Sequence, residues 1–378
     1  MRNTLLCTVG TSFLGNLKRL EPGSDMPAEW EEIRLSSEQK DWKRVARLMA
    51  NIDPAHGCCG AEINTIEHLR YKKGIDLDNL IFLVSDTEQG RNMGQFLKKY
   101  FALRKDLKFK TLDYAVIENL QDEAPRDFRT KGLRNLVKTI GDYIQRFGGE
   151  RFVALDATGG YKAQIAIAVV IGQALNIPVY YKHERFNEII DFPPLPISLD
   201  YDLVGENADI LMSLEQGSCF AESELGVIDE RLKIFLTEVE VDGERLYELS
   251  PIGQVYLLSY DRRHQSAPQT LEKAVERKEP TFGNDHHYPG GLKKFVNKIW
   301  EENKWIKTIH TEPYYGQRDI KGKHFRVKSD KDGYKLIGTY KHKDFGARFR
   351  IRISDESKNA LNWAAVYLGK KYGGQKDI

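Results

Sequence analysis

The sequence predicts an α/β protein with a mostly parallel sheet, followed by a small basic α+β part. Up to about residue 200, short apolar runs alternate with amphipathic helical stretches, which is typical of parallel strands with helices on both faces. A Pro-rich stretch then ends the alternation. The charge also changes sign, since residues 281–378 carry 21 Lys and Arg against 11 Asp and Glu, whereas residues 1–280 have a net charge of −8. These observations predict three domains, over residues 1–203, 204–285 and 286–378.

The first domain is predicted to contain five strands and five helices. The strand-like runs are TLLCTV, NLIFLVS, FKTLDYAVI, RFVALDA and IPVYYK. The helical patterns cover residues 38–50, 60–73, 88–104, 130–147 and 161–175. Ligands of such sheets bind beyond the carboxyl ends of the strands. We therefore expect three polar strand ends to meet at one site: VGTS (Val9 to Ser12), VSDTEQG (Val84 to Gly90) and DATGGYK (Asp156 to Lys162).

The stretch DATGGYK opens a helix through a pair of glycines. Backbone N–H groups at the positive end of a helix favour an anion, often a phosphate. The chain has no GxxxxGK[ST] loop, and GTSFLG is not GxGxxG, so NTP hydrolysis and NAD chemistry are not expected. Backbone donors, hydroxyls and Lys162 predict a site that holds phosphates without cleaving them. The alternative is that Gly159 and Gly160 only form a tight turn for close helix packing.

The Pro-rich stretch DFPPLPISLDYDL, residues 191–203, marks the end of the first domain. Residues 205–262 then show two helical patterns, a hairpin signal at Asp242-Gly243 and a helix that starts at Ser250-Pro251. This order predicts a winged helix-turn-helix. Because the block is acidic, we expect a connector or dimerisation role rather than DNA binding. Residues 263–287 are interpreted as linker.

The last domain begins with a basic amphipathic helix, GGLKKFVNKIWEENKWIKTI, followed by four strand-like runs: KHFRVKSD, YKLIGTYKHK, ARFRIRIS and LNWAAVYLGK. Alternate side chains of a strand share a face, so the third run separates Arg348, Arg350 and Arg352 from Phe349, Ile351 and Ile353. Lys341 and Lys343 alternate in the same way. The pattern predicts a small sheet with one apolar and one cationic face. Because neighbouring like charges repel, we expect an anionic partner, the alternative being a solvated basic face.

Several classes of site and location are not expected. The four cysteines (Cys7, Cys58, Cys59 and Cys219) form no CxxC pair and no ligand spacing with histidine, so the sequence predicts neither a disulfide framework nor a metal site. No apolar run reaches the roughly 18–20 residues of a membrane span, and the N-terminus has no signal-peptide pattern. We therefore expect a cytoplasmic protein without membrane partner, metal or other cofactor.

Three stretches of the first domain carry a family resemblance. The TGGYK loop, the VGTS strand end and CGAEINTI (Cys59 to Ile66) resemble those of the CRISPR-associated Rossmann fold (CARF) sensors, over roughly residues 1–200. The resemblance implies a homodimer that binds a cyclic oligoadenylate across its two-fold axis, with cyclic tetra-adenylate as the expected activator. It implies that the ring is lined by Gly10, Thr11, Ser12, Ser85, Asp86, Thr87, Gly159, Gly160 and Lys162.

Three nuclease chemistries can be compared at the basic end. The ExK matches of metal-dependent nucleases, Glu276 to Lys278 and Glu302 to Lys304, fall in linker or helix. The Arg-x4-6-His match of HEPN ribonucleases, Arg318 to His324, precedes strands. Both are interpreted as accidents of composition. The third chemistry needs no metal, because the 2′-hydroxyl of the RNA attacks the adjacent phosphate while cations hold and stabilise it.

The stretch YKHKDFGARFRI, residues 340–351, resembles RelE-type mRNA interferases, which have a Tyr-Lys-x-Lys strand followed by an aromatic-Arg strand. The resemblance implies that Lys341 and Lys343 act as base or phosphate-positioning cations and that Arg350 stabilises the transition state. VYLGKK resembles the final strand of the family, with Lys371 at a basic position. Tyr372 follows immediately, whereas the family often has Tyr or His several residues later, so proton transfer to the leaving oxygen is assigned to Lys371.

The order of sensor, winged helix and RelE-type domain resembles CRISPR-associated mRNA interferases, which cut mRNA at the ribosomal A site. It implies a cyclic-oligoadenylate-activated, metal-independent, ribosome-dependent endoribonuclease of type III CRISPR antiviral defence. The residues alone indicate only a ligand-gated basic protein that binds or cuts RNA without a metal. The alternative function is a ligand-responsive winged-helix transcription regulator whose basic C-terminal domain adds affinity for nucleic acid.

Overall fold

The structure is a computed structural model. It describes residues 2–22, 26–72, 75–183, 186, 188–217, 219–225, 230–241, 243–265, 271–283, 288–312, 320, 322–331, 333–343 and 345–374. The chain divides into two compact units, Met1–Ser198 and Leu199–Ile378. Within the described ranges, no helix has the length and apolarity needed to span a membrane.

The first unit is built on a six-stranded sheet. Its strands are β1 (Arg2–Thr8), β2 (Ile75–Ser85), β3 (Thr111–Ile117), β4 (Val153–Asp156), β5 (Val179–Tyr181) and β6 (Ile190–Phe192). Their order is β3-β2-β1-β4-β5-β6, and only β6 runs antiparallel to its neighbour. The predicted mostly parallel sheet is confirmed. The chain moves outward from β1 on one side and from β4 on the other, so the topological switch point lies between these two strands.

The helices of the first unit are α1 (Ser12–Arg19), α2 (Trp30–Glu38), α3 (Trp42–Met49), α4 (Ala61–Leu69), α5 (Glu88–Leu103), α6 (Pro125–Asp127), α7 (Leu133–Arg146) and α8 (Lys162–Ala174). The prediction of a single helix over residues 38–50 is wrong at its start, because the helix there, α3, begins only at Trp42. Lys40 adopts a left-handed φ of 56°, which ends α2, and the Asp41 carboxylate caps α3 by accepting the N–H of Arg44.

The core of this unit lies on both faces of the sheet. Residues 80–84 of β2 are fully buried, as expected for a parallel strand with helices on each side. Helices α1 and α5 meet through Phe13 and Phe96, whose stacked rings lie 4.4 Å apart. The strand ends that carry the polar loops are therefore fixed by a packed core beneath them.

The second unit begins with α9 (Tyr201–Glu206), α10 (Ala208–Glu215), β7 (Phe220–Ala221), α11 (Glu222–Leu225), β8 (Leu236–Val241), β9 (Glu244–Leu249) and α12 (Pro251–Gln265). The strands form a small antiparallel sheet of order β7-β9-β8. The Ser250 hydroxyl caps α12 by accepting the N–H of Gly253. Asp242 of the predicted turn lies outside the described residues, whereas Gly243 has a φ of 80°. The winged-helix assignment and its role stay predictions.

The unit ends with α13 (Leu292–Glu302), β10 (Ile306–Thr311), β11 (His324–Asp330), β12 (Gly333–His342), β13 (Phe345–Ile353) and α14 (Lys358–Tyr372). The four strands form an antiparallel sheet of order β10-β13-β12-β11. Helices α13 and α14 cover its apolar face, where their side chains share a core with the strands. This core includes Leu292, Val296, Ile299, Phe325, Phe349, Ile351, Leu361 and Leu368.

Two predicted elements of the last domain are wrong. LNWAAVYLGK, predicted as a strand, lies in α14, because its buried residues recur at helical spacing (Leu361, Ala364, Ala365, Leu368) and Ser357 caps the helix. The predicted basic helix stops at Glu302, since Asn303 turns its side-chain amide back onto the carbonyl of Ile299. The last residues of that stretch, from Ile306 on, belong to β10.

The middle and last blocks pack against each other within the second unit. The buried Tyr260 hydroxyl donates to Oδ1 of Asn362 at 3.2 Å, joining α12 to α14. Nearby, Lys370 pairs with Asp261 at 2.7 Å. The Ser213 hydroxyl lies 2.7 Å from Nε2 of His324, which connects α10 to β11. The domain boundary at residues 285 and 286 stays a prediction, and the two blocks are grouped in one unit.

We predict that Tyr260→Phe destabilises the second unit by about 1–2 kcal/mol, because the buried Asn362 oxygen loses its donor. The measurement is the denaturant dependence of amide hydrogen exchange in α12 and α14. Tyr71→Phe is the matched control, since Tyr71 is 74% exposed. Equal exchange in the Tyr260 and Tyr71 variants would contradict the prediction.

Candidate functional site

The three polar strand ends of the first unit meet at a cleft of about 440 Å³. The loop after β1, the loop after β2 and the turn before α8 form its walls. Five of the predicted ligand-binding residues line it: Gly10, Thr11, Ser85, Thr87 and Gly160. The cleft lies at the switch point between β1 and β4, where open α/β sheets bind their ligands.

Most other residues that line this cleft, which we call the strand-end cleft, have carboxylate, amide or aromatic side chains. Its other residues include Glu88, Gln89, Asp122, Glu123 and Tyr161, and no Lys or Arg of the described chain lines it. Tyr161 donates its hydroxyl to Asp122 at 3.1 Å and packs edge-on against Phe128. The cleft therefore offers acceptors and an aromatic ring in addition to backbone groups and hydroxyls.

The other four predicted ligand-binding residues lie outside this lining. Lys162 is exposed at the first position of α8. Asp86 accepts the N–H of Asn119 and pairs with Arg91, and these contacts lower its pKa. The Ser12 hydroxyl accepts the N–H of Ala61.

Ser12 lines a neighbouring cleft of about 90 Å³ that also contains Arg19 and Lys182. This small cleft places cations next to the loop that follows β1. The hydroxyl of Ser12 and these two cationic side chains are thus separated from the acidic lining of the strand-end cleft.

The glycines of the two loops allow the backbones to touch. A Cβ on Gly159 would lie 2.6 Å from the Gly10 nitrogen, and one on Gly10 would lie 2.8 Å from the Gly160 nitrogen. Gly160 also has a φ of 102°. Close packing therefore requires glycine at the buried Gly159, whereas Gly160 faces the cleft, and phosphate binding by this loop stays a prediction.

Two buried carboxyl groups lie beneath the loops, and neither had been predicted as a site residue. Oε1 of Glu62 accepts the N–H of Gly10 at 2.7 Å, and Asp156 accepts both the N–H and the hydroxyl of Thr158. Burial raises the pKa of both, that of Asp156 to about 7 with a further contribution from the charge of Glu62. The sequence does contain a signal for them. Asp156 ends the apolar run VALD, and Glu62 follows a glycine in CGAE.

The second unit carries the predicted cationic face. The register pairs Arg350 with Ile337 on one side and with His310 on the other, while Arg348 is opposite Thr339 and Lys341 is opposite Gly346. Directly opposite residues share a face, so these arginines lie with Lys341 and His310. Phe349, Ile351 and Ile353 are buried on the opposite face. His310 had not been predicted as part of this face.

Three of the predicted catalytic cations have no ion-pair partner among the residues that the structure describes: Lys341, Lys343 and Arg350. Arg352, by contrast, donates to Glu356 at 2.9 Å. Lys341 and Arg350 lie four residues apart along the strand pair, about 13 Å, with Arg348 between them. Lys343 is exposed at the hairpin turn with a φ of 52°.

Lys371 is not brought to the other three. Because VYLGKK is helical rather than a strand, Lys371 lies at the end of α14, in the layer that covers the apolar face. Its ammonium is close to Tyr372 and 3.2 Å from Glu302, contacts that raise its pKa. The Tyr372 hydroxyl donates to the same carboxylate at 2.7 Å. Arg318 of the HEPN-like match lies outside the described residues.

Comparison with known proteins gives one family match. Residues 57–195 match a family described as CRISPR-associated protein (Cas_APE2256), a segment that holds β2 to β6 and the TGGYK loop. Can2 from Sulfobacillus thermosulfidooxidans, solved in complex with cyclic tetra-adenylate, aligns with 81% of this chain and 86% of its own, at 9% identity and a TM-score of 0.25. No curated protein matches the chain.

The pKa of Asp156 predicts how the stability of the first unit varies with pH. An unfolded aspartate titrates near 4, so between pH 4 and 7 the folded state holds the extra proton and loses stability as pH rises. Asp156→Asn removes this loss, which is on the order of 4 kcal/mol between pH 4 and 8.

The measurement is denaturant unfolding across this pH range, and we expect every variant that keeps Asp156 to lose stability steeply, whereas Asp156→Asn does not. Glu123→Gln, on the exposed rim of the same cleft, is the matched control. Parallel pH profiles for wild type and Asp156→Asn would show that the buried carboxyl does not titrate as described.

Proposed function

We propose that this protein is a ribonuclease of CRISPR defence that a cyclic oligoadenylate activates, the expected activator being cyclic tetra-adenylate. The observation that carries the proposal is the cationic face on β12 and β13 together with their hairpin turn, where Lys341, Lys343 and Arg350 have no ion-pair partner in the described chain. The match of residues 57–195 to a CRISPR-associated family supports the defence role. The full proposal is a metal-independent, ribosome-dependent endoribonuclease that cleaves mRNA in type III systems.

The strand-end cleft is the proposed activator site. Thr11, Ser85 and Thr87 offer hydroxyls, and Gly10 and Gly160 place backbone at its wall. Adenine carries an amino group, which the acceptors Asp122, Glu123 and Gln89 can bind, and Tyr161 offers a ring for stacking. Lys162, Arg19 and Lys182 supply the cations for the phosphates from outside this lining. A symmetric ring of adenylates fits two identical sites, so we propose a homodimer.

The cationic face is the proposed cleavage site. The 2′-oxygen of the RNA attacks the adjacent phosphorus while its proton is lost, a 2′,3′-cyclic phosphate forms, and the 5′-oxygen leaves and takes up a proton. Arg350 stabilises the added negative charge on the phosphate, and Lys341 and Lys343 position the phosphate and assist loss of the 2′-proton. Lys371 is left out of this set because it is paired with Glu302 in the helical layer.

Activation is proposed to be a population shift. The activator binds one of two arrangements of the protein more tightly and so raises the share of the one in which the cationic face accepts RNA. The middle block is proposed to transmit the change together with the last block, since hydrogen bonds such as Tyr260 to Asn362 join them.

We predict that Arg350→Ala lowers the single-turnover rate of mRNA cleavage by about 100-fold or more at saturating cyclic tetra-adenylate, because one donor to the charged transition state is lost. Cleavage is measured on translating ribosomes by mapping the 5′ ends of the mRNA fragments. Lys294→Ala is the control, since Lys294 is exposed on α13 in the helical layer.

Affinity for the activator should be the same in wild type and both variants. Cleavage that survives Arg350→Ala at the wild-type rate would rule out the proposed cleavage site. Sequence-specific binding of duplex DNA that the ligand abolishes would favour the transcription regulator instead.

A further inference from the structure

The second unit has a cleft of its own beside the cationic face, at the outer edge of the sheet that carries this face. Residues 271–283 run alongside β10 and hydrogen-bond to it: the N–H of Lys278 donates to the carbonyl of Lys307, and that of Thr281 to the carbonyl of Ile309. This segment, which we call the edge strap, thus extends the four-stranded sheet. Between the edge strap and β13 is a cleft of about 620 Å³.

The lining of this edge cleft is mainly cationic. Lys273 and Lys278 come from the strap, Lys307 and His310 from β10, and Arg352 from β13. Glu272 and Glu276 also line it, so Lys and Arg outnumber the acids by four to two. A cleft of this charge, open to solvent, attracts phosphate rather than a cation or an apolar ligand.

The strap is held in place by contacts that leave the lysines of the lining free to bind a ligand. The guanidinium of Arg277 lies 4.1 Å from the centre of the Trp300 ring and donates to the carbonyl of Ile306 at 2.9 Å. The Thr281 hydroxyl contacts Nδ1 of His310. A wall that is fixed before the ligand arrives does not have to be ordered on binding, which favours affinity.

The edge cleft is continuous with the proposed cleavage site. His310 lines the cleft and is also directly opposite Arg350 in the register of β10 and β13. Arg352, on the same face two residues beyond Arg350, lies in the cleft as well. An RNA strand whose scissile phosphate contacts Arg350 can therefore pass over His310 into the edge cleft without a gap.

We propose that the edge cleft binds the backbone phosphates of single-stranded RNA next to the scissile bond, with Lys278 and Lys307 as its principal contacts. This inference rests on the proposed ribonuclease function and adds a substrate subsite to it. Lys278 comes from the strap and Lys307 from β10, so two adjacent segments of the lining each supply one cation to the bound strand. Glu276, which lines the same cleft, opposes this binding.

The test is the affinity for a short single-stranded RNA whose 2′-hydroxyls are all methylated, so that it cannot be cut. It is measured by fluorescence anisotropy over a range of salt concentrations on the full chain with cyclic tetra-adenylate. We expect the double variant Lys278→Gln, Lys307→Gln to bind roughly 10-fold more weakly, with a salt slope smaller by about 1.4 because two phosphate contacts are lost. Glu276→Gln is expected to bind more tightly than wild type, a result that misfolding does not produce.

Lys108→Gln, an exposed lysine of the first unit, is the matched control and should bind like wild type. Unchanged affinity and salt slope in the double variant would overturn the inference, even where ligand-dependent cleavage by the wild type upholds the ribonuclease function. A wild-type protein that neither binds RNA nor cleaves mRNA would overturn both proposals.

Discussion

The strict alternation of side chains along β13 is the constraint on which the last part of the second unit depends. Burying Phe349, Ile351 and Ile353 stabilises the unit by about 1.5–3 kcal/mol for each side chain, whereas each neighbouring pair of like charges costs roughly 0.2–1 kcal/mol. Burial therefore outweighs the repulsion, and it forces Arg348, Arg350 and Arg352 onto one face. The apolar core holds these cations together before any phosphate is present.

In the first unit, packing also determines where charged groups lie, but there the groups are carboxylates and they are buried. Packing of the loops after β1 and β4 buries Glu62 and Asp156, and the cost of burial is visible as their raised pKa values. In return, Glu62 fixes the N–H of Gly10, and Asp156 fixes Thr158. Both units thus use a packed interior to hold polar groups in a set geometry at the surface, which is what binding of a multiply charged ligand requires.

The sequence was sufficient for features that depend on local periodicity. Apolar runs such as NLIFLVS identified the parallel strands, and the Arg-Phe-Arg-Ile-Arg-Ile run identified the two faces of β13. Sequence-based prediction failed where a short apolar run fits both the strand period and the helix period. The aromatic and apolar run from Trp363 to Leu368 resembles a strand, but its buried positions follow the helical spacing of α14.

Contacts between distant residues could not be predicted at all. The hydrogen bond from Gly10 to Glu62 joins residues 52 apart, and the Tyr372 hydroxyl bonds to Glu302 across 70 positions. The first contact places a buried carboxyl beneath the cleft, and the second involves the carboxylate that also pairs with Lys371 in the helical layer. Only the fold brings such partners together, because no pattern within either stretch encodes the other.

We propose that a ligand held by the first unit controls RNA cleavage by the second. The most direct test is to incubate the wild-type protein with translating ribosomes, with and without cyclic tetra-adenylate, and to map the mRNA ends over time. We expect new mRNA ends that form rapidly only when the ligand is present. Cleavage at the same rate without the ligand, or no cleavage in either case, would contradict it.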